Sequence, residues 1–467
     1  MDNLLKSVLK RITPSDSEKH KTQGFIQNVM RVSEGIIEPM GLKQVLAGSY
    51  MRDTWMKDKK EFDLFIMFPE NTTREMLEKN GMEVGKKLVT ALKGRYEIAY
   101  AEHPYVRSEV GEYQIDIVPC YHLESAEKIK SAVDRTPFHN HWLTRHLDKS
   151  LVGDVRLFKQ FVKSASLYGS DTRTSGLSGY LCELLIIHYG SFKKLIKGIS
   201  EWEPGKVFID IAGKRDYKSL DNQLKNRFIG QPLILIDPVD KNRNVAAAFS
   251  YKNFMDLVYH AGYFLKTPTS SYFSISREKA KLGELNKLVR HRDTCIYCVI
   301  FKRPDVIDDI LWPQLRKSSR RITDILKDAE FDVMNHDVHA DEKLCFILLE
   351  LSMEKLPRIR KLRGPPVNIS DRSKEFINKY KNKRIWVENN YWVAEIERKF
   401  THAKDKISHT LSHKPKEMQE MGIGSHISKE IGSRFYIKTY AELAQLAKNN
   451  NGLGLFLEDF FKKRIVR

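Results

Sequence analysis

The chain has 467 residues, which at about 150 residues per domain predicts three or four domains. A composition of 41% hydrophobic and 30% charged residues can build buried cores, so we expect a soluble globular protein. Lys and Arg number 79 against 60 Asp and Glu, and the formal charge of +19 favours a polyanionic partner such as nucleic acid. No apolar run approaches the roughly 20 residues that span a bilayer, so no membrane association is expected.

Helix and strand signals alternate over the first 120 residues. Thr13 followed by Pro14 predicts a helix that starts there, with Thr13 as its cap, and runs to about Ile37. Short apolar segments predict strands, and one longer segment predicts a helix; the strands cover 44–47, 62–68, 96–100 and 113–118, and the helix covers 73–93. Pro119 is expected to end the last strand. This order indicates a small α/β or α+β sheet domain.

The middle of the chain is mainly helical, and a new unit is expected near residue 270. Predicted elements before it are helical segments over 155–200, a strand over 233–236 and a helix over 253–266. Beyond it lie a strand over 295–301, a helix over 313–328 and a hairpin over 331–351. Strand–helix–strand–strand order favours a ferredoxin-like or RNA-recognition-like module. The last predicted elements are a boundary or loop at 355–366, a helix at 371–381, a hairpin at 385–396 and helical C-terminal segments.

The five cysteines are an odd and scattered set, which favours a reducing, cytoplasmic environment without a disulfide framework. Cys295 and Cys298 have the spacing of half a zinc site. They lie in an apolar run and no second pair follows, so we interpret them as buried thiols of a strand.

Three acidic residues stand in otherwise apolar strands. Glu61 and Asp63 alternate with Phe62 and therefore project from the same face of a strand, roughly 7 Å apart. Asp116 lies in a second apolar strand. Carboxylates in such positions are costly unless a cation holds them, and Mg²⁺ prefers oxygen ligands. Three strand carboxylates can hold two divalent ions that activate an attacking hydroxyl and stabilise a leaving pyrophosphate.

A Gly-Ser pair precedes these acids. Gly48 allows the backbone to approach a phosphate, Ser49 offers both its N–H and its hydroxyl, and Arg52 can bind a triphosphate with two donors. Each piece alone is compatible with an ordinary turn or strand edge. The combination of Gly-Ser, an acid-x-acid strand and a third strand acid favours a phosphate-transfer site.

This pattern resembles the active-site signature of the nucleotidyltransferase superfamily, which includes polymerase β, poly(A) polymerases and 2′-5′ oligoadenylate synthetases. Within it, several segments look like the archaeal, class I CCA-adding enzymes: residues 47–55, 101–105, 116–121, 131–139, 179–185 and 237–247. The resemblance runs from the N-terminus to beyond residues 302–305 and thins over the last hundred residues.

The resemblance implies an α+β multidomain protein. It consists of a polymerase-β-like nucleotidyltransferase catalytic domain (1–140), a mainly helical nucleotide-binding domain (141–265), and an α/β body and tail (266–467) that bind tRNA and may interleave in sequence. Glu61, Asp63 and Asp116 match catalytic carboxylates that bind Mg²⁺. Residues that match nucleotide contacts are Ser49, Arg52, His139, Lys159, Tyr168 and Arg243. The implied reaction adds C, C and A to the 3′ end of tRNA from CTP and ATP, in the cytoplasm, and a homodimer is compatible with it.

Arg243 is expected to read the incoming base, because its five donors suit acceptors on both cytosine and adenine. The alternative is that Arg243 only pairs with Asp237 or Asp240 and holds the loop. Three basic clusters are candidates for contacts with the RNA backbone: Arg316, Lys317, Arg320 and Arg321; Arg358, Arg360, Lys361 and Arg363; Lys462, Lys463 and Arg464.

Two other functions remain compatible with the sequence. One is a different template-independent RNA terminal transferase, like a poly(A) polymerase or an oligoadenylate synthetase, using only ATP. The other is a non-catalytic RNA-binding protein on a transferase fold, against which the presence of all three acids argues.

Overall fold

The computed structural model describes residues 1–58, 60–100, 102–275 and 279–462, and divides into two compact units, Met1–Ser276 and Arg277–Arg464. The helices of the first unit are α1 (Asp2–Ile12), α2 (Asp16–Ile37), α3 (Arg74–Ala91), α4 (Arg135–His146), α5 (Val152–Ser164), α6 (Gly179–Tyr189), α7 (Phe192–Ser200), α8 (Asn222–Arg227) and α9 (Tyr251–Lys266). Its strands are β1 (Lys43–Ala47), β2 (Glu61–Pro69), β3 (Arg95–Tyr100), β4 (Pro104–Val110), β5 (Tyr113–His122), β6 (Val207–Asp210) and β7 (Leu233–Ile236). In the described part of the chain, no helix has the length and apolarity needed to cross a membrane.

The helix predicted to begin at Thr13 begins two residues later. Ser15 is the cap: its hydroxyl accepts from the backbone N–H of Glu18, and the Glu18 carboxylate accepts from the N–H of Ser15 in return. Thr13 instead ends α1, a helix that was not anticipated. Pro14 therefore separates two helices, since it can neither continue the first nor donate within its last turn.

The first half of this unit is built on a five-stranded sheet of order β1-β2-β5-β4-β3. The central pair β2 and β5 is parallel, and the other pairs are antiparallel. Apolar side chains such as Phe62, Leu64 and Ile115 point to one face, where they pack against α2 and α3. The alternate residues, Glu61, Asp63 and Asp116 among them, point to the opposite face. The helices thus leave the acidic face of the sheet open to a second layer.

Two boundaries of this sheet differ from the prediction. Strand β4 was not anticipated, and β5 continues through Pro119 to His122. Its pairing with β4 ends at Ile117, so Pro119 has a strand neighbour only on the β2 side. A residue without an N–H is tolerated at such a position, and the proline therefore does not end the strand.

Two glycines let α3 lie close to the sheet. A Cβ atom at Gly81 would stand 2.5 Å from Pro119 Cβ, and one at Gly85 would stand 2.7 Å from Val106 Cγ2. Both contacts are far inside van der Waals distance. The spacing of the helix from strands β4 and β5 therefore depends on these missing side chains.

The second half of the first unit is mainly helical, as predicted. Helices α5, α6, α7 and α9 share one core with α1, centred on Phe158, Phe161 and Phe192. The predicted helical segments over 155–200 are α5, α6 and α7, and the predicted strand 233–236 is β7, which pairs in parallel with the unanticipated β6.

The helices of the second unit are α10 (Leu282–Arg292), α11 (Asp308–Asp328), α12 (Ser370–Tyr380), α13 (Ala403–Leu411), α14 (Pro415–Glu420), α15 (Ser425–Ser433), α16 (Tyr440–Ala447) and α17 (Asn451–Lys462). Its strands are β8 (Cys295–Lys302), β9 (Val333–Ala340), β10 (Leu344–Leu351), β11 (Ile359–Pro366), β12 (Ile385–Glu388), β13 (Tyr391–Glu397) and β14 (Phe435–Thr439). The four-stranded sheet has the antiparallel order β14-β8-β10-β9. This is the ferredoxin-like arrangement that strand order predicted, with β14 as its fourth strand.

Both faces of this sheet are covered. Tyr297, Val299 and Phe301 pack against α11, α13 and α15, whereas Ile296 and Ile300 pack against α10, α16 and α17. The RNA-recognition-like alternative requires an open sheet face on which bases stack, so this sheet does not offer it.

The remaining predictions for this unit are partly correct. Residues 359–366, expected in a boundary or loop, form β11 and pair with the predicted hairpin β12–β13. Cys298 is a buried strand thiol, as predicted, and burial raises its pKa. Cys295, three residues earlier on the same strand, is partly exposed and points to the opposite face, so the two thiols do not converge on one metal.

We predict that Gly85→Ala destabilises the protein by roughly 1–3 kcal/mol, because the added methyl group forces α3 away from Val106. A Cβ atom added at Gly24 on α2 would meet no atom of the described residues within 4 Å, so Gly24→Ala should instead stabilise the protein by about 0.5–1 kcal/mol. Urea unfolding of the two variants measures both effects. Equal stability of the two variants would contradict the close-packing argument.

Candidate active site

A cavity of about 330 Å³ in the first unit lies between the acidic face of the sheet and helices α4, α5 and α6. All the predicted site residues line it except Asp116 and Arg243. The lining residues that were predicted are Ser49, Arg52, Glu61, Asp63, His139, Lys159 and Tyr168. Residues from distant segments are thus brought together in one place.

The register of the central strands places two acids side by side. In the parallel pair β2–β5, Asp63 lies directly opposite Asp116, and Glu61 precedes Asp63 by two residues on the same face. Asp116 in turn lies opposite Arg107 on β4. Asp63, Asp116 and Arg107 therefore form a row across three adjacent strands, and Glu61 lies beside this row on the same face.

Arg107 binds Asp116 through two parallel hydrogen bonds. Its Nε donates to Oδ1 at 3.0 Å and its Nη2 donates to Oδ2 at 2.9 Å. Nη2 also donates to the hydroxyl of Tyr105 at 2.7 Å. The hydrogen bonds to Asp116 raise the pKa of Arg107. The carboxylate of Asp116 is consequently oriented by a protein cation.

The chemistry of these donors fits a hard divalent cation. Carboxylate oxygens on adjacent strands of one face are the ligands that Mg²⁺ prefers. As the side chains stand, no group of three or more His, Cys, Asp or Glu within the described ranges could hold a metal ion. The two-point contact with Arg107 draws Asp116 toward β4 and accounts for its absence from the cavity lining.

Gly48 joins β1 to the turn that carries Ser49 and Arg52. Its φ of +94° is a conformation that L side chains rarely adopt, and a Cβ atom there would lie 3.2 Å from Asp63 Oδ2. Glycine thus allows the backbone of the Gly-Ser turn to pass close to strand β2.

One wall of the cavity contains a buried cluster of charges centred on Glu183 of α6. Its Oε1 accepts from Lys159 Nζ at 2.8 Å and from the hydroxyl of Thr54, and its Oε2 accepts from Arg52 Nε at 2.9 Å. Arg52 also donates to Asn140. Burial raises the pKa of Glu183, but the positive charges of Lys159 and Arg52 outweigh that effect, and its net pKa is lowered. Two cations therefore share one carboxylate beside the cavity.

Tyr168 stands beside this cluster. Its hydroxyl would be 2.9 Å from a Cβ atom at Gly179, so the small residue at the start of α6 leaves room for it. Burial raises the pKa of Tyr168 and keeps the phenol neutral.

Arg243 pairs with Asp237, as the alternative interpretation of this residue held. Its Nη1 donates to Asp237 Oδ2 at 2.7 Å, and the same oxygen contacts His139 Nε2 at 2.8 Å. The Arg243 side chain is still 38% exposed, so its other N–H donors stay accessible. The ion pair and a contact with nucleotide are therefore compatible.

Two residues that organise the site, Arg107 and Glu183, were not assigned roles from the sequence, and Asp237 was named only as a possible partner of Arg243. The sequence did contain an indication that Glu183 has a structural or functional partner, because a single acid inside an apolar helix is costly to bury alone. Asp237 carried a similar one, since it follows the fully buried strand β7 directly. Arg107 lies in a strand that was not predicted.

Of the predicted basic clusters, the second is largely paired with acids. In the second cluster, Arg358 pairs with Glu397 at 3.3 Å, Arg360 with Glu330 at 3.1 Å, and Lys361 with Glu388. Alternation along β11 places Lys361 on the face opposite to Arg358 and Arg360. These residues thus do not form one basic surface. In the third cluster, Lys463 and Arg464 lie outside the described residues.

Comparison with known proteins gives consistent matches along the chain. Three family models match: a nucleotidyltransferase domain over residues 32–139, the second domain of tRNA nucleotidyltransferase over 153–274, and the C-terminal domain of CCA-adding enzyme over 292–439. A CCA-adding enzyme of Methanocaldococcus jannaschii is 36% identical over 96% of this chain and 98% of its own length. One of Methanoregula boonei is 35% identical over 97% of this chain and 94% of its own. Among solved structures, a poly(U) polymerase aligns with 59% of this chain and 98% of its own at 14% identity and a TM-score of 0.46.

We predict that Glu183→Gln destabilises the protein at neutral pH by about 3 kcal/mol, because it leaves two buried cations without their anion. The folded-state pKa of Glu183 is below its ordinary value of 4.5. Its contribution is therefore complete above that value and is lost as pH falls through the lower folded pKa.

The difference between wild type and Glu183→Gln should shrink as urea unfolding is repeated at decreasing pH. Glu83→Gln is the matched control, because Glu83 is exposed on α3 and pairs with Lys87 at the surface. A gap between wild type and Glu183→Gln that stays constant with pH would refute the charge argument.

Proposed function

Because the chain belongs to the archaeal, class I type of CCA-adding enzymes, we propose that it builds and repairs the 3′ CCA end of tRNA from CTP and ATP. The observation that carries this proposal is the row of carboxylates beside a cavity that holds buried cations. The proposed reaction is attack of the tRNA 3′ oxygen on the α-phosphorus of the nucleotide. A new O3′–P bond forms, the bond between the α-phosphorus and the bridging oxygen to the β-phosphate breaks, pyrophosphate leaves, and the proton of the 3′ hydroxyl passes to solvent.

Glu61, Asp63 and Asp116 are the proposed ligands of Mg²⁺. Bound Mg²⁺ would lower the pKa of the attacking hydroxyl and neutralise charge on the leaving pyrophosphate. Arg107 supports this role of Asp116, since its two hydrogen bonds fix the plane of the carboxylate.

Ser49, Arg52 and Lys159 are the proposed contacts of the triphosphate. Arg52 and Lys159 lie 2.9 and 2.8 Å from Glu183, so their guanidinium and ammonium groups are already positioned before substrate arrives. Positioned cations stabilise a developing charge without reorganisation during the reaction. His139 and Tyr168 are the proposed contacts of the nucleoside, and Arg243 the contact that reads its base.

The proposed location is the cytoplasm. None of the five cysteines, all of which lie in the described part of the chain, forms a disulfide. Free thiols are the rule where the thiol pool is reducing.

The decisive experiment supplies tRNA lacking its CCA end with each nucleotide in turn. CTP alone should add two residues, ATP should add one residue to the product ending in CC, and UTP and GTP should add none. Extension with ATP alone would indicate a different terminal transferase. Tight tRNA binding without any extension would indicate a non-catalytic RNA-binding protein.

We predict that Asp63→Ala and Asp116→Ala each abolish nucleotide addition and leave the affinity for tRNA within a few-fold of wild type. Each change removes a carboxylate from the row that faces the reacting phosphate. Single-turnover extension and filter binding measure the two effects. Glu97→Ala is the control: Glu97 lies in the same row, on the edge strand β3 opposite Arg107, and should keep normal activity. Near-normal extension by either aspartate variant would remove the metal assignment.

A further inference from the structure

Asp237 is a fully buried carboxylate that the proposed reaction does not use. It follows β7 directly, and its side chain has no exposed surface. Four groups surround its two oxygens. Oδ2 contacts His139 Nε2 at 2.8 Å and accepts from Arg243 Nη1 at 2.7 Å, while Oδ1 accepts from the hydroxyl of Tyr180 at 3.0 Å and from the N–H of Val239 at 3.1 Å.

These partners come from separate parts of the fold. His139 is on α4, Tyr180 is on α6, and Arg243 is in the segment after β7. Burial raises the pKa of Asp237, but hydrogen bonding and the charge of His139 outweigh burial and keep the carboxylate ionised. The Asp237 carboxylate therefore connects α4, α6 and the segment after β7 through hydrogen bonds to a single buried group.

The shared oxygen couples His139 and Arg243. Both approach Oδ2, so a shift of the carboxylate moves the donors of both residues together. The His139 ring also stacks on Tyr180, with ring centroids 4.1 Å apart, and both rings line the cavity. Arg243 itself does not line the cavity, and Asp237 is the group that links it to two residues that do.

We infer that Asp237 is a positioning residue for nucleotide selection: it sets the guanidinium of Arg243 and the imidazole of His139 relative to the bound base. The inference rests on the proposed function and on the role of Arg243 in it. Cytosine and adenine present a ring-nitrogen acceptor, at N3 and N1, whereas uracil and guanine present an N–H there. A guanidinium has only donors, so it can donate to the ring nitrogen of cytosine or adenine. It cannot form a hydrogen bond with the ring N–H of uracil or guanine, because both groups are donors.

Discrimination of this kind depends on where the donor lies, because leaving a group unpaired is costly only in a closed and ordered contact. If Arg243 were free to move, its guanidinium could turn to other atoms or to water. Binding of uracil or guanine would then no longer leave an unpaired donor, and the free-energy penalty against these bases would be lost. Asp237 therefore acts on selectivity and not on the chemical step.

The test compares isosteric variants in single-nucleotide incorporation with all four nucleotides on tRNA lacking A or CA. Asp237→Asn should lower the preference for CTP and ATP over UTP and GTP by roughly tenfold, as Arg243→Ala should. Asp240→Asn is the matched control. It alters the same loop and loses the charge partner of Arg135, which lies 3.0 Å away, but leaves Asp237 intact. It should keep the preference of wild type.

A merely structural role for Asp237 gives a different result. Asp237→Asn would then unfold at lower urea and slow all four nucleotides equally with an unchanged preference, which would overturn the inference. If Asp237→Asn does not fold, Tyr180→Phe removes one hydrogen bond to Oδ1 and keeps the stacked ring. A wild-type preference in Tyr180→Phe would then overturn it. Failure of the proposed function itself is distinct, since the wild-type enzyme would not extend the tRNA with C and A at all.

Discussion

Two carboxylates held opposite each other on adjacent strands, as Asp63 and Asp116 are, repel each other unless positive charge lies beside them. Strands in a sheet are about 4.8 Å apart, so sheet pairing forces this proximity and the side chains can relieve little of it. Arg107, one strand further along the row, supplies such a charge to Asp116. The remaining geometry of the first unit serves this arrangement: α2 and α3 bury one sheet face, Gly81 and Gly85 set the distance of α3, and the acidic face meets α4 to α6.

Buried positive charges of the first unit are likewise stabilised by groups of opposite charge. Arg52 and Lys159 are too buried to be solvated well, and Glu183 offsets the cost of burying them. Asp237 is the buried acid that contacts both Arg243 and His139. In each case a buried acid fixes side chains that line the cavity or lie next to its lining. The charged groups around the cavity are thus held in place by the protein itself, and groups positioned in this way give the largest electrostatic stabilisation of a transition state.

The local sequence pattern was sufficient to predict the strands that carry the three acids. Alternation of Glu61, Phe62 and Asp63 predicted both the strand and the shared face, and the resemblance extended the set to residues such as Lys159 and Tyr168, which line the cavity. The pairing register of these strands could not be predicted from the sequence, because no residue near Asp63 or Asp116 indicates that their strands pair in parallel. The ion partners were missed for the same reason: Arg107 lies on an unpredicted strand, and Glu183 is far in sequence from Arg52. Thr13 was predicted as the cap in place of Ser15, because the sequence did not show that a first helix ends at Ile12.

Strand β14 has a consequence for how the second unit is made during synthesis. It pairs with β8, yet between the two in sequence lie a second pair of sheet strands, β9 and β10, the separate sheet β11–β13 and helices α11 to α15. One edge of β8 therefore stays open on the nascent chain until residues 435–439 have emerged. An apolar strand such as Cys295–Lys302 with an unpaired edge is a site for association with other chains. Contacts between such distant segments also form slowly. The second unit is accordingly exposed to association with other chains until β14 is in place.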